Sequence, residues 1–488
     1  MSQTPPAAAD PKSQLRRVMG FWDLLLFNIA AVLGPRWIAA ASHNGTSSIS
    51  LWVLAAVGFF VPTAMVIVEL TSRFPEEGGL YAWTKNAFGD FHGFIAGWTY
   101  WIYTIFYFPA LLLASASMSA YVVGPSGAAL AQNRTFLLIG SFVLLIVAVG
   151  MNLVGLNIGK WLQNAGGVST YLPLLILALI AFVLWRGHGS WHGSWHGSVT
   201  QFTVANMLPH WNWGTVNFWP QIAFAFTGLE IGSMMSEEVR DPRRTFPRAI
   251  FASGALIAVI YIIGTFAVLS LLPAADVDTK SGVFQAITSG STLLRIGFVG
   301  VLAAMLVSVG NAGGVGSTVA GVSRVPFVVG LDRYLPAAFG KIHPKWKTPY
   351  VAILVQAVVS GVILLATQIN ETANSAYQIL VDATTIVYFI SLMYMYAAAI
   401  RLAYRKDRET TPGAVLIPGG VVGVWIASLL GIFVVMGGIA LSFIPPAESA
   451  NRFLFVAKLI IGTVASVLFG LALYYRGRRA KARDARAS

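Results

Sequence analysis

Cysteine is absent from the sequence. That removes a disulfide framework and any thiolate metal site, and the redox compartment cannot be read from it. Charge is scarce too. Only 10% of residues are Asp, Glu, Lys or Arg, against roughly 25% in an ordinary soluble chain. A chain of 488 residues built as water-soluble domains would need far more polar surface. No glycine period suggests a fibre, and polarity is too low for disorder. The ten-residue alternation of an outer-membrane barrel is missing as well.

What is present is apolar: 56% of the residues, with a mean hydropathy of +0.71. A membrane-crossing helix needs about 20 such residues in a row. Twelve stretches qualify, near 20–42, 48–72, 93–122, 135–155, 162–185, 217–236, 249–272, 294–322, 349–368, 376–400, 418–443 and 454–475. They are apolar on all sides, so the expected class is an all-α polytopic membrane protein with twelve transmembrane helices. The first stretch is too long for a signal-peptide core, lacks a clear cleavage site and runs straight on to a second.

The basic residues orient the chain. The balance is +13, and 25 of the 32 Lys and Arg fall in segments on the same side as the N-terminus. Cytoplasmic segments carry the Lys/Arg excess, so both termini are expected in the cytoplasm of a cell-membrane protein. The basicity is this topology signal. No basic domain exists to carry a nucleic-acid partner. The partners expected are the lipid bilayer, a small-molecule substrate and possible coupling ions, H⁺ or Na⁺.

Three stretches would disturb a helix. The first span reads FNIAAVLGPRWIAAAS, with Gly34-Pro35 near mid-depth. The sixth reads FAFTGLEIGSMMSEE, with Gly228 at its centre and Glu230 two residues on. The eighth carries NAGGVGS, Asn311–Ser317. Backbone freed at membrane depth is tolerated only where it lines a cavity or a protein interior. Interrupted helices at matching places in two halves point to a transporter site, and spans one and six match if the repeat is five helices long. The plainer alternative is packing or kinking alone.

Several stretches resemble the amino acid–polyamine–organocation (APC) transporter superfamily. LRRVMGFWDLLLFNIAAVLG resembles its opening. ELTSRFPEEGGLYAWTKNAFGDFHGFIAGW, Glu69–Trp98, resembles its segment between the second and third spans. FAFTGLEIGSMMSEEVRDPRRTFPRAI, Phe224–Ile250, is similar to its sixth span and exit. Ser323-Arg324 and Pro344 to Pro349 resemble its eighth-to-ninth connection. The resemblance covers about residues 15–475. It implies a 5+5 inverted-repeat (APC/LeuT-type) fold with broken helices 1 and 6, and secondary active transport by alternating access. The implied layout is a tail over 1–19, a core over 20–405 with repeats 20–185 and 217–405, two added helices over 418–475, and a basic tail over 476–488.

The resemblance also implies that the substrate's amino and carboxyl groups meet the breaks. A helix N-terminus offers free N–H groups to a carboxylate, and a C-terminus offers carbonyls to an ammonium. The candidate substrate residues are Leu33, Gly34, Pro35, Arg36 and Trp37 in the first break. Phe224, Phe226, Thr227 and Gly228 are the candidates in the sixth, and Thr384 and Thr385 in the tenth span. Tyr100 and Trp101 are further candidates for an aromatic gate, and Asp382 for an outer-vestibule amine contact.

Here the chain departs from the family. The usual Gly-Ser-Gly is Gly34-Pro35-Arg36. Pro35 removes an amide donor, and Arg36 places a permanent charge where insertion costs ~3 kcal/mol. Three roles compete for Arg36: a bidentate contact to a substrate carboxylate, a stand-in for a bound cation, or a structural pair with Glu230 or carbonyls. Glu230 is either a protonatable switch or a structural carboxylate. Thr170 stands where many proton-coupled relatives have Lys. With Ser308 it could supply oxygens to Na⁺, or both hydroxyls could simply bond between helices. Arg36, Glu230, Thr170 and Ser308 are therefore the coupling or gating candidates. No catalytic residue, metal ligand or cofactor is expected, since the spans hold no nucleophile–base set, metal cluster or phosphate loop.

HGSWHGSWHGS, His188–Ser198, reads as a tetrapeptide duplication in an outer loop rather than a metal site. Glu76-Glu77 and Asp241 are expected to pair with neighbouring arginines. The function expected is transport of an amino acid or a derivative. An amino acid/amine antiporter is the alternative within transport, since EEGGLYAW and SFIPP resemble glutamate/amine antiporters. A non-transporting sensor or scaffold is the alternative outside it, and tails of about 19 and 13 residues are short for that.

Overall fold

The computed structural model describes residues 18–76, 78–154, 156–187, 200, 202–209, 213–331, 334–367, 373–445 and 452–487. The His188–Ser198 repeat and Glu77 lie outside them.

Among the described residues there is no strand, and the sole isolated β-bridge joins Met19 to Val239. Everything else that is regular is helical, as backbone that cannot bond to water must be. Span 1 is Phe21–Val32 and Pro35–His43; span 2 runs Ser47–Arg73; span 3 is Asp90–Ser119; span 4 is Arg134–Val154; span 5 is Leu156–Gly187. Span 6 is again in two pieces, Trp213–Ala225 and a tighter 3₁₀ stretch, Leu229–Glu238. Span 7 is Pro242–Leu271, span 8 Phe298–Val322, span 9 Tyr350–Thr367, span 10 Ala373–Ala403, span 11 Gly420–Ser442 and span 12 Arg452–Ala487. Among the described residues ten helical stretches are long and apolar enough to cross a membrane. Span 9 is shorter, and span 6 is divided, which completes the expected twelve.

Burial sorts the spans. Of the most apolar window of span 1, 89% is buried, against 22% for span 12. Span 1 is therefore the central helix. Span 12 stands at the rim with Phe453 83% exposed, and Phe433 of span 11 is 78% exposed; such faces suit lipid, not water.

Span 8 is not broken. Its NAGGVGS stretch continues as α-helix, and its small residues serve close approach instead. A Cβ on Gly166 of span 5 would stand 2.5 Å from the Gly313 Cα, and one on Gly314 would stand 2.6 Å from the Ala30 carbonyl oxygen. Span 8 thus lies backbone to backbone against spans 5 and 1.

Two buried ionic knots close the face on which span 1 begins. Arg324, just after span 8, donates from Nε (2.9 Å) and Nη2 (2.6 Å) to Glu238 Oε1 at the end of span 6. The Glu238 carbonyl accepts from the Val18 and Met19 amides. Glu69 of span 2 takes Arg408 Nε at 2.7 Å and Nη2 at 2.9 Å, Arg73 Nη1 at 3.3 Å and the Ile417 amide at 2.9 Å. Asp241 pairs with Arg244 at 3.8 Å on an exposed surface, where such contacts contribute little.

Candidate functional site

The break in span 1 is two residues long. Leu33 is extended (φ −67°, ψ 109°), as is Gly34 (φ −120°, ψ 116°), and Pro35 opens the second half. Gly34 is not needed for an unusual φ. It is needed for space, because a Cβ there would come within 3.0 Å of the Trp37 ring. Pro35 suits the first helical position, where no N–H is required. The Ala31 carbonyl loses its helical donor because Pro35 has none. The Ala30 carbonyl loses its own because the Gly34 amide donates instead to the Tyr261 hydroxyl, 3.3 Å away. Tyr261, from span 7, also reaches the carbonyls of Val32 (3.1 Å) and Ala225 (3.2 Å). It ties both breaks together.

Arg36 is 4% exposed. Its Nη2 donates to the Tyr107 hydroxyl at 2.8 Å, and its guanidinium carbon lies 4.5 Å from the Trp37 ring centre and 5.2 Å from that of Tyr107. Among the described residues no carboxylate lies within 4 Å of it. The structural pair with Glu230 is therefore not made.

A small cavity opens beside this charge. Residues 30–34 and Arg36 of span 1, Tyr107 and Leu111 of span 3, Thr170 of span 5, and Gly310, Asn311 and Gly314 of span 8 form its walls. The space open to the centre of a water molecule is about 20 Å³, room for about one water. An amino acid does not fit this volume.

Across span 1 lies the second break. Gly228 has φ +102°, a conformation glycine adopts without strain. Glu230 is 1% exposed. It accepts from the Tyr100 hydroxyl at 2.8 Å, from the Tyr388 hydroxyl in a short contact, and from the Gly228 amide at 3.1 Å. Among the described residues three donors and no cation hold this carboxylate. Arg36 and Glu230 are thus two buried charges beside two breaks, each solvated by tyrosine hydroxyls.

The structure brings together Leu33, Gly34, Arg36 and Thr170 on the cavity, with Trp37 against the guanidinium. Phe224 packs beside them, its ring 5.5 Å from Trp37 and 6.0 Å from Tyr107. Other candidates stand elsewhere. Phe226 turns the opposite way, onto Trp52, Phe60 and Tyr261, because residues two apart on a helix end point about 200° apart. Thr227 Oγ1 donates to the Phe224 carbonyl at 2.6 Å. Thr384 and Thr385 spend their hydroxyls on the carbonyls of Leu380 and Val381 in their own helix. Trp101 packs on Trp98 and Phe339. Asp382 takes Gln378 Nε2 at 3.1 and 3.2 Å.

Ser308 bonds to Ser119 Oγ at 3.1 Å and to the Ala304 carbonyl at 2.8 Å, the bond between helices that was its plainer alternative, whereas Thr170 faces Gly310. Ser308 and Gly310 are again two residues apart, so the two hydroxyls do not converge on one ion. The groups that sequence reading missed are Tyr107, Asn311, Tyr261 and Tyr388. A polar group amid apolar helix faces marked each of them, but the abundance of aromatics hid the tyrosines.

Comparison with known proteins gives this geometry a family. A family model described as amino acid permease matches residues 19–466. An uncharacterised transporter of Legionella pneumophila is 27% identical over 93% of this chain and 95% of its own. The serine/threonine exchanger SteT of Bacillus subtilis is 24% identical over 96% and 98%. The probable agmatine/putrescine antiporter AguD of Lactococcus lactis is 23% identical over 83% and 84%. The crystal structure of MhsT in complex with L-phenylalanine aligns with a TM-score of 0.63 at 13% identity, over 89% of this chain and 98% of that one; it bears out the LeuT-type fold. The chain belongs to the amino acid permease family, within the APC superfamily, and is a multi-pass membrane transporter rather than an enzyme.

Proposed function

We propose that the chain moves an amino acid or a close derivative across the cell membrane by alternating access, as a secondary active transporter with both termini cytoplasmic. In this reading residues 20–185 and 217–405 form the two repeats, and the substrate binds at the break of span 1. The observation that carries it is Arg36: a buried guanidinium with a single hydrogen-bond partner among the described residues, facing a cavity walled by a broken helix. The substrate carboxylate meets Arg36 and the positive end of the half-helix it opens. The substrate ammonium meets the carbonyls of Ala30 and Ala31. The names of SteT and AguD offer two substrate types, and the buried cation favours an amino acid over a diamine.

Coupling follows from the same charges. Arg36 already places a positive charge in the cavity, and Thr170 and Ser308 do not converge, which favours transport without Na⁺. Glu230 is the protonatable group beside the second break, and we assign it the coupling role. The test is counterflow in liposomes containing the purified protein. Internal unlabelled amino acid should drive tracer uptake in Na⁺-free buffer. Absence of counterflow for every amino acid would refute the assignment, and strict dependence on Na⁺ would refute the coupling.

A further inference from the structure

We infer that the substrate carries net negative charge: an amino acid with a second carboxylate. This rests on the cavity being the substrate site, and it names the charge class that site selects.

The polar side chains at the cavity are Arg36, Tyr107, Thr170 and Asn311, none of them anionic, and Thr170 Oγ1 already donates to the Gly166 carbonyl at 2.7 Å. Arg36 has five N–H groups and uses one, on the Tyr107 hydroxyl. That hydroxyl accepts from Arg36, so its own proton has no acceptor among the described residues. Asn311 is 8% exposed, and among the described residues its Nδ2 reaches only the Met118 thioether, 3.6 Å away, a weak acceptor. Among the described residues no Asp or Glu lines the space. Glu230, the carboxylate at the other break, has both oxygens engaged by Tyr100, Tyr388 and the Gly228 amide. The rings of Trp37 and Tyr107 hold the cation without neutralising it.

Charge arithmetic then separates the ligand classes. A zwitterion with one carboxylate is neutral and leaves the filled cavity at +1. A diamine would leave it at about +3. An amino acid with two carboxylates brings the cavity and its ligand to neutrality, which a water-poor interior favours strongly. One carboxylate takes Arg36 and the Tyr107 proton, the second takes Asn311 Nδ2, and the ammonium takes the Ala30 and Ala31 carbonyls left without helical donors.

The test is binding to the purified full-length protein, with L-[³H]glutamate and L-[³H]serine as separate tracers. L-aspartate, L-glutamine and putrescine are the competitors. Glutamate or aspartate should bind at least tenfold tighter than glutamine or serine, and putrescine should not compete. Arg36→Gln should weaken glutamate binding by 100-fold or more and remove the preference for glutamate over glutamine. A wild-type preference for serine or glutamine overturns the charge inference and leaves the amino acid reading standing. Binding of neither tracer also overturns the charge inference, and the amino acid reading then stands or falls on counterflow across the full set of amino acids. If Arg36→Gln does not fold, the wild-type ranking decides, and Tyr107→Phe should selectively weaken glutamate.

Discussion

The Glu238–Arg324 pair makes the sharpest mechanical prediction. The two side chains are 5% and 2% exposed, and two N–H donors converge on one carboxylate oxygen. Together they fasten the end of span 6 to the end of span 8, on the face proposed to be cytoplasmic. The Arg324→Gln change strands a buried carboxylate, which costs about 3–5 kcal/mol. If the pair exists only while this face is closed, that cost falls on the closed state alone. At about 1.4 kcal/mol per tenfold, the closed-to-open ratio should drop by roughly 100- to several-thousand-fold. The native chain has no cysteine, so Met234→Cys, fully buried on the same 3₁₀ stretch as Glu238, is a unique reporter. Its modification by a water-soluble thiol reagent should speed up about 100-fold or more in the Arg324→Gln background. Glu238→Gln should act alike, and the double variant should be milder than either single one, because no unpaired charge remains. An unchanged rate in folded Arg324→Gln protein, or strictly additive single effects, would refute the reasoning.

Three further outcomes are expected. Gly166→Ala should lower stability by about 1–3 kcal/mol, seen as earlier thermal unfolding in detergent, because the added Cβ meets the Gly313 backbone at 2.5 Å. Glu69→Ala should cost about 3–5 kcal/mol, since Arg408 and Arg73 both donate to this buried carboxylate, whereas Asp407→Asn, half exposed, should stay within about 1 kcal/mol; thermal unfolding distinguishes them. Glu230→Gln should keep exchange but lose any acceleration of uptake by a proton gradient, measured in liposomes with an imposed pH difference.

The helices were legible in the sequence because each span announces itself by length and apolarity alone. The breaks were legible because Gly34-Pro35 and Gly228 sit in otherwise uninterrupted runs. Arg36 stood out because a guanidinium in a membrane helix is costly wherever it points. Its surroundings were not legible. Tyr107, Tyr261 and Asn311 come from three other spans, and what places them is helix rotation. A rotation error of two residues is enough to turn Ser308 away from Thr170, or Phe226 away from Phe224. Glu230 was visible as a charge, but its partners Tyr100 and Tyr388 lie 130 and 158 residues away. The NAGGVGS stretch misled for a different reason: small residues signal flexibility and close packing alike, and here packing against Gly166 and Ala30 wins.

The central claim is that the substrate occupies the cavity at the break of span 1. Ala31→Cys on the cavity wall tests it directly, with Thr410→Cys on an exposed loop as the control. With transport preserved, saturating substrate should slow thiol modification at position 31 by tenfold or more and leave position 410 unchanged. Equal modification of Ala31→Cys with and without substrate, in protein that still transports, would contradict the account.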